Sequence, residues 1–266
     1  MPLQDTAEIL WNEQQSTCYF KMGLRSPALA RAAAPGQFVM VRVRDSTDPV
    51  LRRPFSIHNL LGEGERLRGF EILYKVVGRG TAILSELRAG EHVGVLGPFG
   101  NGFTCPEGLQ NVFLVAGGIG IAPLYYLASL LESMGRGRPL WCTLFFGGRT
   151  YSDILCKEAF HVIGVDLRIS TEDGSLGHKG LVTSLLKREL ASGESPDIIY
   201  ACGPEPMLKE TFRIAASFDI PCQLSMESVM ACGFGACLGC AIKGKGPGYL
   251  HVCTDGPVFD PSLLGW

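Results

Sequence analysis

Four cysteines near the C-terminus constrain this chain more than any other feature. They are Cys232, Cys237, Cys240 and Cys253, a C-x4-C-x2-C pattern followed by a fourth thiol. Plant-type [2Fe-2S] clusters are ligated with this spacing. Glycines lie between the first three thiols, and glycine permits the unusual dihedral angles and close backbone approach that a cluster-binding loop needs. The pattern therefore predicts a cysteine-ligated [2Fe-2S] cluster in the tail of the chain.

A four-cysteine zinc site is the alternative, because zinc knots also use short C-x2-C steps. Zinc sites usually combine two separated C-x2-C pairs, whereas three of these thiols lie in one glycine-rich loop. The spacing favours iron–sulfur ligation. A non-catalytic scaffold that binds zinc through the same thiols stays open as a different class of protein.

Length and composition narrow the remaining choices. The chain has 266 residues, enough for two ordinary domains and a small appendage. Its 24 Lys and Arg residues nearly balance 26 Asp and Glu residues, so no basic footprint suggests nucleic acid. No apolar run approaches a membrane span, and the N-terminus does not resemble a secretory signal. Ten cysteines without such a signal predict reduced thiols in the cytoplasm.

Three segments with different patterns of strand, helix and glycine predict an α+β multidomain chain. Residues 1–104 contain short strands punctuated by glycine and proline, which indicates an antiparallel β-barrel. Residues 105–222 alternate strands with helices, which indicates an α/β domain with a parallel sheet. Residues 223–266 are glycine-rich and irregular. They cannot bury a substantial core of their own, so we expect the metal to hold them together.

Individual elements can be placed within this outline. In the barrel we expect strands and one helix, followed in the α/β domain by alternating strands and helices. The barrel elements are strands Gln37–Arg44, Gly69–Val77 and Glu91–Leu96 and helix Thr81–Leu87; the later ones are strands Val112–Ala116, Leu140–Phe146, Asp166–Ser170 and Asp197–Cys202 and helices Pro123–Met134, Gly180–Leu190 and Glu205–Phe218.

Two motifs in the barrel segment suit a diphosphate ligand. R-R-P-F-S at residues 52–56 is expected at the end of a barrel strand, where a guanidinium can hold a diphosphate bidentately and a hydroxyl can bond a heterocycle nitrogen. G-R-G-T at residues 78–81 precedes the expected helix, and free N–H groups at a helix start bind phosphate. A plain turn with Thr81 as N-cap explains the second motif equally well.

Two glycine turns in the α/β segment suit a dinucleotide. G-G-I-G-I-A-P at residues 117–123 follows a buried strand and opens a helix, where a turn approaches a pyrophosphate. C-G-P begins at Cys202 and also follows a strand. Both turns could instead be tight turns, with Cys202 as core filler. Arg149 is a lone cation after the second strand of this segment, which favours NAD over NADP.

These motifs together resemble the ferredoxin–NAD(P) reductase superfamily. R-P-F-S, G-R-G-T and G-P-F-G-N at residues 97–101 are similar to its flavin-binding barrel, and the two glycine turns are similar to its pyridine-nucleotide domain. The resemblance implies that Arg53 holds the FAD pyrophosphate and that Cys202 positions the nicotinamide. Phe55 departs from the tyrosine of many relatives, and Tyr74 could be an ordinary strand aromatic. The implied cofactor-binding residues are Arg53, Pro54, Phe55, Ser56, Leu73, Tyr74, Lys75, Gly80, Thr81, Gly117, Gly118 and Gly120.

The tail narrows the resemblance further. M-A-C-G-F-G-A-C-L-G-C at residues 230–240 and V-C-T-D-G-P-V-F at residues 252–259 resemble the electron-transfer subunits of class 1B dihydroorotate dehydrogenases. That resemblance implies FAD, a [2Fe-2S] cluster and NAD as cofactors. It also implies an FMN-containing catalytic subunit as partner, in a heterotetramer of two of each. Electrons would pass from FMN to cluster to FAD to NAD+ during pyrimidine biosynthesis in the cytoplasm.

Other enzymes combine the same parts. The reductase component of a multicomponent oxygenase joins flavin, NAD and [2Fe-2S] sites, but its ferredoxin domain is much longer than this 44-residue tail, counted from 223 to 266. The flavin subunit of a sulfhydrogenase or of an electron-bifurcating transhydrogenase has a closely similar architecture and remains an alternative.

Overall fold

The computed structural model of the chain describes residues 2–135 and 140–266. The first domain is a closed antiparallel barrel in the order β1-β2-β5-β4-β3-β6. Apolar side chains alternate into its interior, as in β6, because successive residues of a strand point to opposite faces. Its elements are β1 (Leu3–Ser16), β2 (Tyr19–Arg25), α1 (Pro27–Ala32), β3 (Phe38–Arg42), β4 (Arg53–Leu61), β5 (Gly69–Lys75), α2 (Arg79–Glu86) and β6 (His92–Phe99).

The second domain is a parallel sheet with helices. β10-β9-β8-β7-β11-β12 run parallel, which fits the predicted alternation of strands and helices. Its elements are β7 (Asn111–Gly117), α3 (Ile121–Gly135), β8 (Trp141–Gly148), α4 (Lys157–Val162), β9 (Asp166–Thr171), β10 (His178–Lys179), α5 (Val182–Ala191), β11 (Ile198–Cys202), α6 (Glu205–Ser217) and β12 (Cys222–Ser225).

The tail forms one hairpin and one further strand. The hairpin pairs β13 (Ala241–Lys243) with β14 (Tyr249–His251). The last strand, β15 (Val258–Phe259), pairs antiparallel with β12 and so becomes the seventh strand of the nucleotide-domain sheet.

The tail shares a hydrophobic core with the rest of the molecule. Met226, Val252 and Phe259 belong to one buried cluster with barrel residues such as Phe38 and with sheet residues such as Phe113. Packing against the other domains therefore helps to hold the tail in place, in addition to the metal that the sequence predicts. The apolar side chains of the tail are buried against the other two domains. The sequence of the 44-residue tail, read by itself, does not reveal these contacts.

The predicted fold class is confirmed, with two local corrections. R-P-F-S begins β4 rather than ending a strand, since Arg53 is the first residue of that strand. Helix α2 begins at Arg79, with Gly78 as N-cap, so Thr81 is the third helical residue rather than the cap. Within the described residues, no helix is long and apolar enough to cross a membrane.

Candidate functional site

A cleft of about 880 Å³ opens at the carboxyl ends of the parallel strands. Open α/β sheets bind their ligands at this edge, because the turns after several strands meet there. Three predicted glycines, Gly117, Gly118 and Gly120, line the cleft, together with Gly147 and Gly203. The cleft therefore brings together the two glycine turns that the sequence indicated separately.

The two turns touch through their backbones. A Cβ on Gly120 would lie 2.2 Å from the carbonyl oxygen of Cys202, and a Cβ on Gly203 would lie 2.9 Å from the nitrogen of Gly117. A Cβ on Gly117 would lie 2.7 Å from Sδ of Met207, which belongs to the first turn of α6. These glycines are thus required by close packing between β7 and β11 and leave the cleft floor free of side chains.

Cys202 directly precedes Gly203 of the cleft lining and is itself buried, with 1% exposed. Burial, and secondarily the carboxylate of Glu227, raises the pKa of its thiol well above the ordinary range. The thiol therefore stays neutral over the ordinary pH range. Glu227 lines the cleft, and the surrounding protein raises the pKa of its carboxyl by desolvation. The sequence motifs gave no indication of Glu227.

Barrel residues form the opposite wall of the cleft. The hydroxyl of Tyr19 donates to Oδ1 of Asp153 at 2.7 Å, and Oδ2 of Asp153 accepts the backbone N–H of Arg149 at 3.0 Å. Although partial burial acts in the other direction, these hydrogen bonds lower the pKa of Asp153. Lys75 Nζ lies 4.8 Å from the centroid of the Tyr19 ring. Of the predicted flavin segment, Lys75 is the residue that faces this cleft.

Arg53 and the start of α2 meet on the barrel surface. A Cβ on Gly80 would lie 2.2 Å from Nε of Arg53, so the guanidinium lies directly against the Gly80 backbone. Arg53 Nη1 also donates to the carbonyl of Leu51. The first N–H groups of a helix have no partner within the helix and carry the positive end of its dipole. An arginine fork beside such a helix start is suited to the pyrophosphate of FAD.

Thr81 organises this turn from within. Its Oγ1 accepts the N–H groups of Val77 at 2.9 Å and Gly78 at 3.1 Å, and its hydroxyl lies 2.9 Å from the carbonyl oxygen of Gly78. The side chain is 6% exposed. Its hydroxyl is therefore committed to the turn, which fixes the backbone of Gly80 against Arg53.

The remaining predicted flavin residues take different positions. Tyr74 is 1% exposed, and its hydroxyl donates to Oδ1 of Asn12 at 3.0 Å inside the barrel, so only its backbone is available to a ligand. The half-buried Phe55 meets Tyr74 edge-on, with ring centroids 5.6 Å apart. Leu73 is buried in the core that joins the barrel to the sheet. Pro54 and Ser56 are half-buried and pair with Met40 and Phe38 of β3.

The four tail cysteines converge in one loop region. Sγ of Cys240 lies 3.3 Å from Sγ of Cys253, and Cys232 and Cys237 are hydrogen-bonded through their side chains. Desolvation acts to raise the pKa of the Cys232 thiol. Hydrogen bonds from backbone N–H groups, of which that of Phe234 has the largest effect, outweigh it and lower the pKa to about 6. Burial, with the thiol of Cys240 beside it, raises the pKa of Cys253 to about 12.

This arrangement fits two irons better than one zinc. Zinc needs three or four ligands around one point. Among the residues that the structure describes, no three His, Cys, Asp or Glu side chains converge in that way. A [2Fe-2S] cluster takes two thiolates on each iron, and backbone N–H groups aimed at sulfur stabilise its charge. The thiols are present as two close pairs with such N–H groups.

His58 is a buried residue of this region that no sequence pattern indicated. It lies two residues beyond the R-P-F-S motif, and its Nδ1 donates to the carbonyl of Ala122 at 2.8 Å. Ala122 belongs to the start of α3, immediately after the glycine turn. Burial lowers the pKa of His58 to about 4, so the imidazole is neutral and holds the barrel against the nucleotide turn.

Two protein-family models match the chain. "Iron-sulfur cluster binding domain of dihydroorotate dehydrogenase B" matches residues 227–264, which include all four tail cysteines. "Oxidoreductase NAD-binding domain" matches residues 114–212, which include both glycine turns. The matches fall on the two segments where the structure forms the thiol loop and the cleft.

Curated relatives match over most of their length. A protein of Desulforamulus reducens is 40% identical over 93% of this chain and 92% of its own. One of Caldanaerobacter subterraneus is 44% identical over 85% and 84%. Both are named dihydroorotate dehydrogenase B (NAD(+)), electron transfer subunit. This chain belongs to that family. The family resemblance that the tail motif predicted is confirmed.

Solved structures agree with the fold of this electron transfer subunit family member. The chain aligns with a TM-score of 0.85 and 31% identity to a chain of the NADH-dependent reduced ferredoxin-NADP oxidoreductase, covering 98% of this chain and 90% of that one. A ferredoxin NADP+ reductase from Neisseria gonorrhoeae with bound FAD and NADP aligns with a TM-score of 0.65 and 16% identity, covering 81% and 91%. The second likeness concerns the fold alone.

Proposed function

We propose that this chain is the electron-transfer subunit of an NAD-dependent dihydroorotate dehydrogenase. It passes electrons from the FMN of a catalytic subunit through a [2Fe-2S] cluster and FAD to NAD+. We assign FAD binding to residues 1–104, NAD binding to residues 105–222 and cluster binding to residues 223–266. The observation that carries the proposal is the match of the dihydroorotate dehydrogenase B iron–sulfur model to the segment that gathers the four thiols.

The order of the three sites follows from the electrons that each carrier takes. A hydride delivers two electrons together, whereas a [2Fe-2S] cluster carries one. When bound, FAD supplies the conversion between the two. In this proposal Arg53 and the start of α2 hold its pyrophosphate, and the cleft beside Cys202 holds the nucleotide. The neutral thiol of Cys202 orients the nicotinamide without taking up a proton.

A partner follows from the same reasoning. The relatives are named as subunits, and the proposal gives this chain no pocket for dihydroorotate. The partner is an FMN-containing catalytic subunit that oxidises dihydroorotate to orotate in pyrimidine biosynthesis, and the complex is a heterotetramer of two of each. Ten unpaired cysteines support action in the reducing cytoplasm.

Co-purification tests the proposal. When the tagged chain is purified from cells at its native expression level, we expect an FMN-containing protein to co-purify with it. The purified pair should reduce NAD+ with dihydroorotate. Cys240→Ser should abolish that reaction yet preserve NADH oxidation by an artificial flavin acceptor, because the flavin and nucleotide sites lie in other domains. Cys18→Ser, outside the tail, is the matched control and should preserve both. If Cys240→Ser kept both activities, the cluster would not lie on the electron path between the partner and FAD.

A second candidate is the flavin and iron–sulfur subunit of an electron-bifurcating NAD(P)H oxidoreductase. The structural likeness to the NADH-dependent reduced ferredoxin-NADP oxidoreductase, at a TM-score of 0.85, favours it specifically. The same preparation distinguishes the two. A bifurcating complex would exchange electrons between NADH and ferredoxin and would leave dihydroorotate unchanged.

A further inference from the structure

Asn101, which follows the last barrel strand, is bonded to the Cys253 segment, residues 253–258 of the tail. Its side-chain Nδ2 donates to the carbonyl oxygen of Thr254 at 3.2 Å and to that of Asp255 at 2.9 Å. Its backbone N–H donates to the carbonyl oxygen of Gly256 at 2.6 Å. One barrel residue therefore holds three successive carbonyl groups that come directly after the fourth tail cysteine.

The barrel end and the Cys253 segment touch with no side chain between them. The N–H of Val258 donates to the carbonyl oxygen of Asn101 at 3.4 Å. A Cβ on Gly100 would lie 2.6 Å from the carbonyl oxygen of Gly256, closer than real Cβ atoms come. Gly100 also has a φ of +78°, which glycine adopts without strain. A larger residue at Gly100 would push the two segments apart.

The Cys253 segment is a closed turn, so its carbonyl groups and its thiol move together. The carbonyl oxygen of His251 accepts the N–H groups of Thr254 at 3.0 Å and Asp255 at 2.8 Å. In return, Oδ2 of Asp255 accepts the N–H of His251 at 2.6 Å. Cys253 lies inside this turn. By fixing Thr254 and Asp255, Asn101 therefore fixes the position of Cys253.

A second amide connects the same barrel end to the predicted flavin motif. Nε2 of Gln37 donates to the carbonyl oxygen of Gly100 at 2.8 Å. The carbonyl oxygen of Gln37 accepts the N–H of Ile57 at 3.0 Å. Ile57 directly follows R-P-F-S at residues 53–56. A chain of hydrogen bonds therefore runs from the flavin motif through Gln37 and Asn101 to the Cys253 segment.

We propose that Asn101 is a positioning residue for electron exchange between FAD and the cluster, because it fixes the Cys253 segment against the flavin-binding barrel. This inference rests on the function proposed above and adds the residue that sets the relative position of the two carriers. One electron moves at a time between cluster and FAD. Two such transfers, with one proton from solvent, balance the hydride passed to NAD+. Asn101 itself takes up neither an electron nor a proton.

Hydrogen bonds can set this position more exactly than the apolar contacts nearby. The ring centroids of Phe99 and Phe234, which also join the barrel to the thiol loop, lie 6.3 Å apart. Apolar contacts are non-directional, whereas hydrogen bonds have a preferred length and angle. Electron exchange slows steeply as two carriers separate, so loss of the Asn101 bonds should slow it even where both carriers remain bound.

Two substitutions of Asn101 separate its donors from its size. Asn101→Ala removes both side-chain bonds, whereas Asn101→Asp keeps the size and replaces the donor with an acceptor. Gln37→Ala breaks the same chain of bonds one step nearer the flavin motif. Asn111→Ala is the matched control, because Nδ2 of Asn111 donates to the carbonyl oxygen of Ser195, at 3.2 Å, within the nucleotide domain.

The full chain with its cofactors is mixed with NADH in a stopped-flow spectrometer, where absorbance reports flavin reduction and then cluster reduction. In both Asn101 variants the rate of cluster reduction, relative to that of flavin reduction, should fall about tenfold, and Asn111→Ala should keep the native ratio. Gln37→Ala should lower the ratio in the same direction. Backbone amides of the Cys253 segment should exchange hydrogen about tenfold faster in the Asn101 variants.

A native ratio of the two rates in both Asn101 variants, or an equal fall in Asn111→Ala, would overturn the inference. If the Asn101 variants do not fold, a native ratio in Gln37→Ala would overturn it as well. Flavin, iron and acid-labile sulfide are measured on every sample. Their absence from the native chain would refute the proposed function, whereas a loaded native chain with unaffected variants would refute only the role of Asn101.

Discussion

The hydroxyl of Tyr19 lies 2.7 Å from Oδ1 of Asp153, although 134 positions separate the two residues in the chain. The bond joins strand β2 of the barrel to the turn after β8 of the nucleotide domain. Both residues line the cleft, so the same contact that connects the domains also shapes the nucleotide site.

Tyr19→Phe should weaken NADH binding. The change removes the hydrogen bond that positions Asp153 in the wall of the cleft, and a loss of about 1.4 kcal/mol of NADH binding would raise the KM for NADH about tenfold. Steady-state kinetics with an artificial acceptor measure this. The control is Tyr126→Phe, which removes another bond between the domains, from Tyr126 to the carbonyl of Ala33 at 3.1 Å, away from the cleft. Equal KM values in the two variants would contradict the prediction.

Gly80→Ala should reduce FAD retention as strongly as Arg53→Ala. The new methyl group would occupy the position of the Arg53 guanidinium, since its Cβ would lie 2.2 Å from Nε. Loss of charge-assisted bonds to a diphosphate should raise the FAD dissociation constant about 10- to 100-fold. Flavin content after dialysis measures the effect. Gly246→Ala, whose Cβ would meet nothing within 4 Å, is the control and should retain its flavin.

Cys202 should act without ionising. Because burial raises the pKa of its thiol far above the ordinary value, hydride transfer should show no step from this group between about pH 6 and 10. Cys202→Ser should keep most of the rate, and Cys202→Ala should lower it about tenfold through lost positioning. Stopped-flow reduction of the flavin by NADH measures both. A pH step that is present in the native chain and absent from both variants would show that the thiol ionises.

His58 should make the chain sensitive to mild acid. Its pKa is about 4 in the folded state against 6.5 when unfolded, so between these values the unfolded chain binds the extra proton. Folding stability contributed by the neutral imidazole is therefore present above pH 6.5 and lost as pH falls, by about 2 kcal/mol at pH 5.

Asparagine provides the comparison for that effect, because its amide can still donate to the Ala122 carbonyl but cannot titrate. Denaturant unfolding at pH 7 and pH 5 should give a loss about 2 kcal/mol smaller in His58→Asn than in the native chain. An identical loss in both proteins would mean that His58 is not the group responsible.

Local sequence patterns predicted the parts of the site that local structure determines. The thiol spacing, the Gly117–Gly120 turn and the C-G-P turn each act over a few residues, so their positions at the tail loop and strand ends could be anticipated. The fold class followed from the same periodicities. The Arg53–Gly80 contact was indicated only as two separate motifs, because nothing in the sequence gives the distance between them.

Contacts between distant segments could not be predicted in this way. His58 and Ala122 are 64 positions apart, and a lone histidine in a strand has no pattern that marks its partner. Tyr74 shows a related difficulty, since the resemblance implies a position near the flavin, but no pattern in the sequence indicates that its hydroxyl bonds Asn12 inside the barrel. Burial depends on how strands close into a barrel, and residue type alone does not specify it.

The pairing of β15 with β12 bears on how the tail can be manipulated. Leu224 and Ser225 of β12 pair with Phe259 and Val258, so truncation directly after β12 would leave an unpaired sheet edge that contains the buried Leu224. Exposed sheet edges of this kind pair with strands of other molecules. A shortened chain should therefore self-associate, and the cluster segment serves the solubility of the nucleotide domain as well as carrying charge.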